Sequence, residues 1–137
     1  MTVNRAHDEA AVRAVLEGVY RAWAAGDAEA FVADYREDAT AILPGSYRRS
    51  REEARATMAA GFASVLKGST TVDRLDSIRF LGGGGAVVVS ETAVLFPGET
   101  EVPEGRSVYA TWVLEKGDGA WRIVAYHNSP VVTPTSA

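Results

Sequence analysis

The sequence predicts an α+β domain, because its helical and strand patterns fall in different halves of the chain. In the first half, apolar residues recur at the three- and four-residue spacing of amphipathic helices. In the second half, four segments rich in β-branched and aromatic residues alternate with glycine-containing turns. Helices followed by a strand meander are typical of an antiparallel sheet with helices on one side. At 137 residues the chain has the usual size of one domain.

The first two helices are separated by a Gly-Asp pair. Apolar residues at helical spacing predict the first helix over residues 8–25. Gly26 is suited to end it, because glycine readily adopts the left-handed conformation of a helix C-terminus. Asp27 is an expected N-cap for a short second helix that runs to Tyr35.

A capping pattern marks the third helix. Ser50 and Glu53 have the spacing of a capping box. Met58 and Phe62 follow at a four-residue interval, and the apolar side is expected to continue to residue 65 or 66.

Five strands are predicted, one before the third helix and four in the second half of the chain. They cover residues 40–43, 70–80, 86–96, 106–115 and 121–131. The segments GGGG, PGETEVPEG and KGDG separate the last four, which we expect to form an antiparallel meander. The strand at 86–96 is apolar on both faces, so we expect helices on one face and a second copy of the chain on the other.

Composition excludes several classes of function. The chain has no cysteine, which excludes a disulfide framework, a thiol nucleophile and a thiolate metal site. Its two histidines, His7 and His127, are far apart, so no metal site is predicted. A net charge of −4 argues against a nucleic-acid partner. No apolar run has the length of a signal core or a membrane span, so the sequence predicts a cytoplasmic protein.

The domain is expected to occupy residues 1–137, with its core at about 8–130. The last seven residues, 131–137, are rich in proline, threonine and serine and are expected to form a loose tail. The basic residues Arg48, Arg49 and Arg51 have two interpretations: a contact with an acidic partner such as a carrier protein, or a solvated helix start.

Two segments carry a resemblance to known proteins. The sequences AWAAGDAEAFVADYREDATAILPG and WVLEKGDGAWRIVAYHNS resemble the nuclear transport factor 2-like superfamily, and within it the SnoaL-like and ketosteroid-isomerase-like proteins. The closing pattern G-x-W-R-I-x-x-x-H-N is most similar to the SgcJ-type branch, which is encoded with enediyne polyketide pathways. The resemblance covers about residues 8–130, and the pathway implies a polyketide synthase as a candidate contact. It implies a cone-shaped, curved antiparallel or mixed sheet wrapped around three N-terminal helices, a pocket at the open end, a homodimer through the convex face and no cofactor.

The same resemblance argues against steroid-type isomerisation. When the isomerase pattern is aligned through Gly26 and Asp27, its phenolic donor falls on Val19 and its carboxylate base on Leu43. Its protonated acid falls on Thr111. None of these residues can perform the corresponding step, so the protein is not predicted to be a ketosteroid isomerase.

The alignment also predicts which side chains face the pocket. On the strands it points inward Val87, Val89, Glu91, Ala93 and Leu95; Tyr109, Thr111 and Val113; and Val124, Tyr126 and Asn128. The predicted substrate-binding residues are Trp23, Tyr35, Met58, Phe62, Val89, Tyr109, Thr111, Val124, Tyr126 and Asn128. They would form an apolar and aromatic pocket with a few polar groups, as is usual for a small-molecule site.

Glu91 and His127 are the predicted catalytic residues. A lone carboxylate among apolar neighbours is costly to keep ionised, which favours Glu91 as a general acid or base. The alternatives are an ion pair, for example with Arg106, or a place at an exposed rim. His127 is a potential proton shuttle, but strict alternation points Asn128 inward and His127 outward unless a bulge intervenes.

Two functions are compatible with these features. The first is a cofactor-independent enzyme that acts on a hydrophobic polyene intermediate by proton transfer, cyclisation or release. The second is a non-catalytic protein that binds and carries the same kind of molecule.

Overall fold

Helices fill most of the first half of the chain and strands most of the second. The computed structural model describes residues 5–132, so the tail beyond residue 132 lies outside the described residues. The elements are α1 (Arg5–Ala25), α2 (Ala28–Phe31), β1 (Tyr35–Leu43), β2 (Ser46–Arg48), α3 (Arg51–Phe62), β3 (Thr70–Leu81), β4 (Gly85–Leu95), β5 (Val108–Gly117) and β6 (Ala120–Pro130). None of the described helices is both long and apolar enough to cross a membrane.

The first two helices meet at the predicted Gly-Asp pair, but α1 begins at Arg5, three residues earlier than expected. Gly26 has a φ of +65°, which ends α1 as expected. The Asp27 carboxylate accepts a hydrogen bond from the Ala30 N–H at 3.0 Å and caps α2. The expected end of α2 at Tyr35 is wrong, since the helix stops at Phe31 and Tyr35 is the first residue of β1.

The third helix is capped as predicted but is shorter than expected. Ser50 Oγ accepts from the Glu53 N–H at 3.1 Å. The predicted continuation to residue 65 or 66 is wrong, because the chain turns after Phe62 and the Leu66 N–H donates to the Gly61 carbonyl at 2.8 Å. This turn brings Leu66 back against the core and leaves Val65 exposed.

The six strands form a curved, open sheet in the order β2-β1-β6-β5-β4-β3. The predicted antiparallel meander is confirmed for β3 to β6. The sheet is mixed, because β1 pairs with β6 in parallel, with Ala41 opposite Tyr126. The short strand β2 was not predicted; it forms a hairpin with β1 around Gly45, whose φ is +76°.

The inner face of the sheet packs against the helices, and the predicted inner face of β4 and β5 is wrong. The buried side chains of these strands include Ala86, Val88, Ser90, Ala110, Trp112 and Leu114. Because side chains alternate along a strand, the predicted positions Val89, Tyr109 and Thr111 lie on the outer face. Ala93 is the exception in the predicted series, since it is buried and lines the cavity as expected. A shift of one residue is sufficient to invert a whole strand.

A β-bulge explains why β6 differs from β4 and β5. Ile123 pairs with Leu114, but Ala125 pairs with Val113, so Val124 is an extra residue between them. After the bulge, Tyr126 returns to the inner face. The inward positions predicted for Tyr126 and Asn128 are therefore right, while Val124 does not line the cavity.

A buried carboxylate joins the first helix to the last hairpin. Asp8 on α1 accepts from Lys116 Nζ at 3.1 Å and from Trp121 Nε1 at 3.2 Å. The hydrogen bond from Lys116 is the main reason why the pKa of Asp8 is lowered. This contact holds the N-terminal end of α1 against β5 and β6.

Candidate ligand-binding cavity

A cavity lies between the helices and the inner face of the sheet. Its volume is about 300 Å³, which is within the usual range of small-molecule sites. Most of its wall is apolar or aromatic and is formed by side chains such as Val19, Trp23, Phe31, Leu43, Met58, Leu66, Ala93, Val94, Val108 and Trp112. Such a wall favours a hydrophobic ligand, because apolar surface leaves water when the ligand binds.

Aromatic contacts build the wall from two sides. On the sheet side, Trp112 packs against Tyr126 with ring centroids 4.4 Å apart and meets Tyr20 edge-to-face at 6.3 Å. On the helix side, Trp23 meets Phe62 edge-to-face at 5.6 Å. Phe62 supports Trp23 and does not line the cavity, in contrast to its predicted position.

Two buried polar atoms at the wall have no hydrogen-bond partner among the described residues. They are Trp112 Nε1 and Asn128 Oδ1. The amide nitrogen of Asn128 does have a partner, since Nδ2 donates to the Tyr126 hydroxyl at 2.8 Å. Buried polar groups are nearly always paired, so these two atoms are exceptions, although neither has appreciable accessible surface.

Arg48 is the cationic group of the wall that lacks a counter-ion. Its guanidinium is half-buried, and Nη1 donates to Met58 Sδ at 3.3 Å while Nε donates to Ser46 Oγ at 3.4 Å. No carboxylate within residues 5–132 pairs with it. Burial lowers the pKa of Arg48, but a guanidinium still carries its charge at neutral pH.

Three tyrosines bring phenol groups to the cavity. Burial is the largest cause that raises the pKa of each of Tyr20, Tyr35 and Tyr126. The Tyr20 hydroxyl donates to Asp73 Oδ1 at 2.9 Å, and the negative charge of Asp73 raises the pKa of Tyr20 further. All three phenols are therefore neutral at physiological pH and can donate a hydrogen bond.

A second arginine of the wall is already neutralised. Arg106 donates to Glu99 and to the Val94 carbonyl, and its guanidinium lies over the Phe96 ring at 5.0 Å. Since Arg106 pairs with Glu99, it is not the partner of Glu91.

The structure brings about half of the predicted substrate-binding residues to the cavity. The residues at the wall are Trp23, Tyr35, Met58, Tyr126 and Asn128. Val89, Tyr109 and Thr111 lie on the outer face of the sheet. The other two predicted residues, Phe62 and Val124, lie behind the wall and at the bulge.

The two predicted catalytic residues lie away from the cavity. Glu91 is on the outer face, where its carboxylate accepts from Arg74 Nη2 at 3.1 Å and its side chain is 32% exposed. The apolar surroundings that would have made it a general acid or base are absent, and an ion pair takes their place. His127 is exposed, on the face that strict alternation assigns to it. Residues 5–132 contain no group of three acidic or histidine side chains that could hold a metal ion.

Three residues of the site were not predicted from the sequence, namely Tyr20, Arg48 and Trp112. Tyr20 lies three residues before Trp23 on α1, and this helical spacing could have placed both on one face. Arg48 was one of three clustered arginines, which the structure separates. Arg49 lies over the Tyr47 ring at 4.4 Å, and Arg51 Nη1 donates to the Tyr35 carbonyl at 3.4 Å.

Comparison with known proteins gives a family and a set of similar structures. A family model for the SnoaL-like domain matches residues 12–133. A domain of unknown function with a cystatin-like fold from Nostoc punctiforme is 31% identical, with a TM-score of 0.86, and the match covers 93% of this chain and 79% of that one. An NTF2-like protein of unknown function from Shewanella oneidensis is 22% identical, with a TM-score of 0.75 and coverages of 88% and 98%.

A third similar structure is that of a ketosteroid isomerase-like protein. The ketosteroid isomerase-like protein from Erwinia carotovora atroseptica is 18% identical, with a TM-score of 0.72, and the match covers 90% of this chain and 96% of that one. At this identity the likeness shows the fold alone. Comparison with curated proteins found no match.

Proposed function

Since this chain belongs to the SnoaL-like domain family, we propose that it binds a hydrophobic molecule of polyketide type in the cavity between α1 and the sheet. The cavity carries this proposal: its wall is apolar and aromatic, and it also includes the polar side chains of Arg48, Tyr126 and Asn128. A wall of this kind binds an apolar body and orients a few polar groups.

A narrower ligand class is part of the same proposal. The closing pattern of the sequence is similar to the SgcJ-type branch, which supports a conjugated polyene of an enediyne pathway. A polyene is flat and apolar, and it suits a wall formed by Trp23, Trp112 and Tyr126.

A second candidate function is proton transfer on the bound molecule, and the hydrogen bond between Tyr20 and Asp73 favours it. Tyr20 lines the cavity, whereas Asp73 is exposed to solvent. A proton that leaves the ligand would pass to the Tyr20 oxygen while the Tyr20 proton passes to the Asp73 carboxylate. This relay gives the cavity a base although no carboxylate is among the described residues that line it.

One experiment tests both candidates. The absorption spectrum of a conjugated polyene is followed over time with and without the protein. Binding predicts a spectral shift that saturates at one equivalent per chain and then holds. Catalysis predicts continued loss of the chromophore with turnover, which Tyr20→Phe should stop while binding is retained.

The control variant changes a carboxylate that lies outside the cavity. Glu91→Gln changes a carboxylate on the outer face and should alter neither the shift nor the turnover. If no spectral change occurs at any protein concentration, the proposed ligand class is wrong.

We also propose that a second copy of the chain covers the outer face of the sheet. Val87, Val89 and Val113 are only half-buried there, and Tyr109 is 51% exposed. Apolar side chains that remain accessible on a sheet face are a common basis for dimers. Light scattering during size-exclusion chromatography should give twice the chain mass of 14.6 kDa, and Val89→Glu should halve the measured mass. A wild-type mass of one chain would refute the dimer.

A further inference from the structure

We propose that the ligand of this cavity is a hydrophobic carboxylic acid and that Arg48 binds its carboxylate; the proposal rests on the proposed function. Arg48 is on β2, at the part of the cavity wall to which Tyr35 of β1 and Tyr126 of β6 also contribute. A guanidinium is the side chain best shaped to bind a carboxylate, because its N–H groups match both oxygens.

The positive charge of Arg48 has no counter-ion among the described residues. A charge that is partly removed from water is costly unless it is paired. The cavity contains an internal comparison, because the other arginine at its wall, Arg106, is paired with Glu99. Arg48 has only Met58 Sδ and Ser46 Oγ as acceptors among the described residues. Its charge is therefore available to an anion that enters the cavity.

Two phenol groups share the cavity wall with Arg48. Tyr35 and Tyr126 line the same cavity as Arg48, and the positive charge of Arg48 partly opposes the rise that burial causes in the pKa of both phenols. Tyr126 already accepts from Asn128 Nδ2, so its own proton is free to be donated to a ligand oxygen. A carboxylate has about four acceptor positions, and it could use the guanidinium and the two phenols together.

The rest of the cavity wall is apolar, which suits a ligand with a hydrophobic body. Trp112 is 3% exposed and packs on Tyr126, so its indole forms the wall next to the phenol. Beyond these groups the wall is formed by apolar side chains such as Val19, Leu66 and Val94. An inorganic anion would leave this apolar surface uncovered. A carboxylate on a hydrocarbon or aromatic body satisfies both parts of the cavity.

The experiment compares probes that differ in charge and share a conjugated chain. The probes are all-trans decatetraenoic acid, its methyl ester and the hydrocarbon decatetraene, titrated into the full-length protein and followed by absorbance. We expect the acid to bind the wild-type protein about tenfold to a hundredfold more tightly than the ester. We also expect the affinity for the acid, but not for the ester, to fall as the pH is lowered through the range in which the acid is protonated.

Variants identify the residue that is responsible. Arg48→Met should remove the preference for the acid and leave the affinity for the ester nearly unchanged. Arg48→Lys should retain part of the preference, because an ammonium keeps the charge but loses the paired geometry. Arg49→Met is the matched control, since Arg49 is the adjacent, exposed arginine; it should leave both affinities unchanged.

The possible results of these titrations separate the carboxylate proposal from the proposed function. Equal affinity of the wild-type protein for acid and ester, with both bound, would overturn the carboxylate proposal and leave the proposed function intact. The carboxylate proposal is also overturned if Arg48→Met weakens acid and ester equally while thermal unfolding shows a folded protein. If none of the three probes binds, the proposed function itself fails, and this proposal with it.

Discussion

Replacing Ala93 with tryptophan is expected to lower ligand affinity at least a hundredfold. Ala93 is buried and lines the cavity, and an indole at this position would fill much of a space of about 300 Å³. Because protein interiors are close-packed, the wall cannot move far enough to make equal room for a ligand. The measurement is a polyene titration followed by absorbance, carried out on a variant whose circular dichroism matches that of the wild-type protein.

The matched control places the same side chain on the opposite face of the sheet. Tyr109→Trp changes an exposed aromatic residue of β5 and should leave ligand affinity within about twofold of the wild-type value. If Ala93→Trp folds normally and binds the polyene as tightly as the wild-type protein does, the ligand is bound elsewhere and the cavity is not the site.

A second large effect is expected at two adjacent residues of β5. Leu114 is 1% exposed and faces the helices, while Val113 is half-buried on the outer face. Leu114→Ala should lower the free energy of unfolding by about 2–5 kcal/mol, because it removes buried methyl groups and leaves a void. Val113→Ala should cost about 1 kcal/mol or less. Urea unfolding at one fixed protein concentration measures both changes.

This pair of substitutions decides between two orientations of the strand. The sequence alignment pointed Val113 inward, whereas the structure points Leu114 inward. A larger loss of stability for Val113→Ala than for Leu114→Ala would contradict the inward orientation of Leu114.

The order and type of the elements could be predicted because local signals agree with the tertiary fold. The Gly26–Asp27 pair and the Ser50 cap mark helix ends by backbone chemistry that acts within a few residues. The turns between β3 and β6 are rich in glycine, which makes a meander easy to recognise. The three-residue strand β2 was not predicted, because a strand this short has almost no periodic signal.

The faces of β4 and β5 could not be predicted from the sequence, and the reason is physical. Val87, Val88 and Val89 are equally apolar, so hydrophobic alternation cannot tell the inner face from the outer one. A distant alignment then decided the orientation, and a shift of one residue inverted β5 and the part of β4 before Ala93. On β6 the bulge at Val124 restored the expected phase, so Tyr126 and Asn128 were placed correctly.

The polar part of the site was missed for a different reason. An arginine next to two others at the start of a helix is usually solvated, and nothing in the local sequence distinguishes Arg48 from Arg49. Their environments differ only because β2 pairs with β1 and turns the Arg48 side chain toward Met58. Such a difference comes from tertiary structure and has no counterpart in a short stretch of sequence.

The parallel pairing of β1 with β6 has a consequence for how the chain is synthesised and folded. The two strands meet with Ala41 opposite Tyr126, so β1 finds its neighbour only after β6 has been synthesised. Until then α1 to α3 have no complete sheet to cover. Contacts between distant parts of a chain form slowly, because a long loop must close first. The sheet is continuous only when β6 lies between β1 and β5, and the part of the cavity wall formed by Tyr126 and Asn128 exists only with this strand in place.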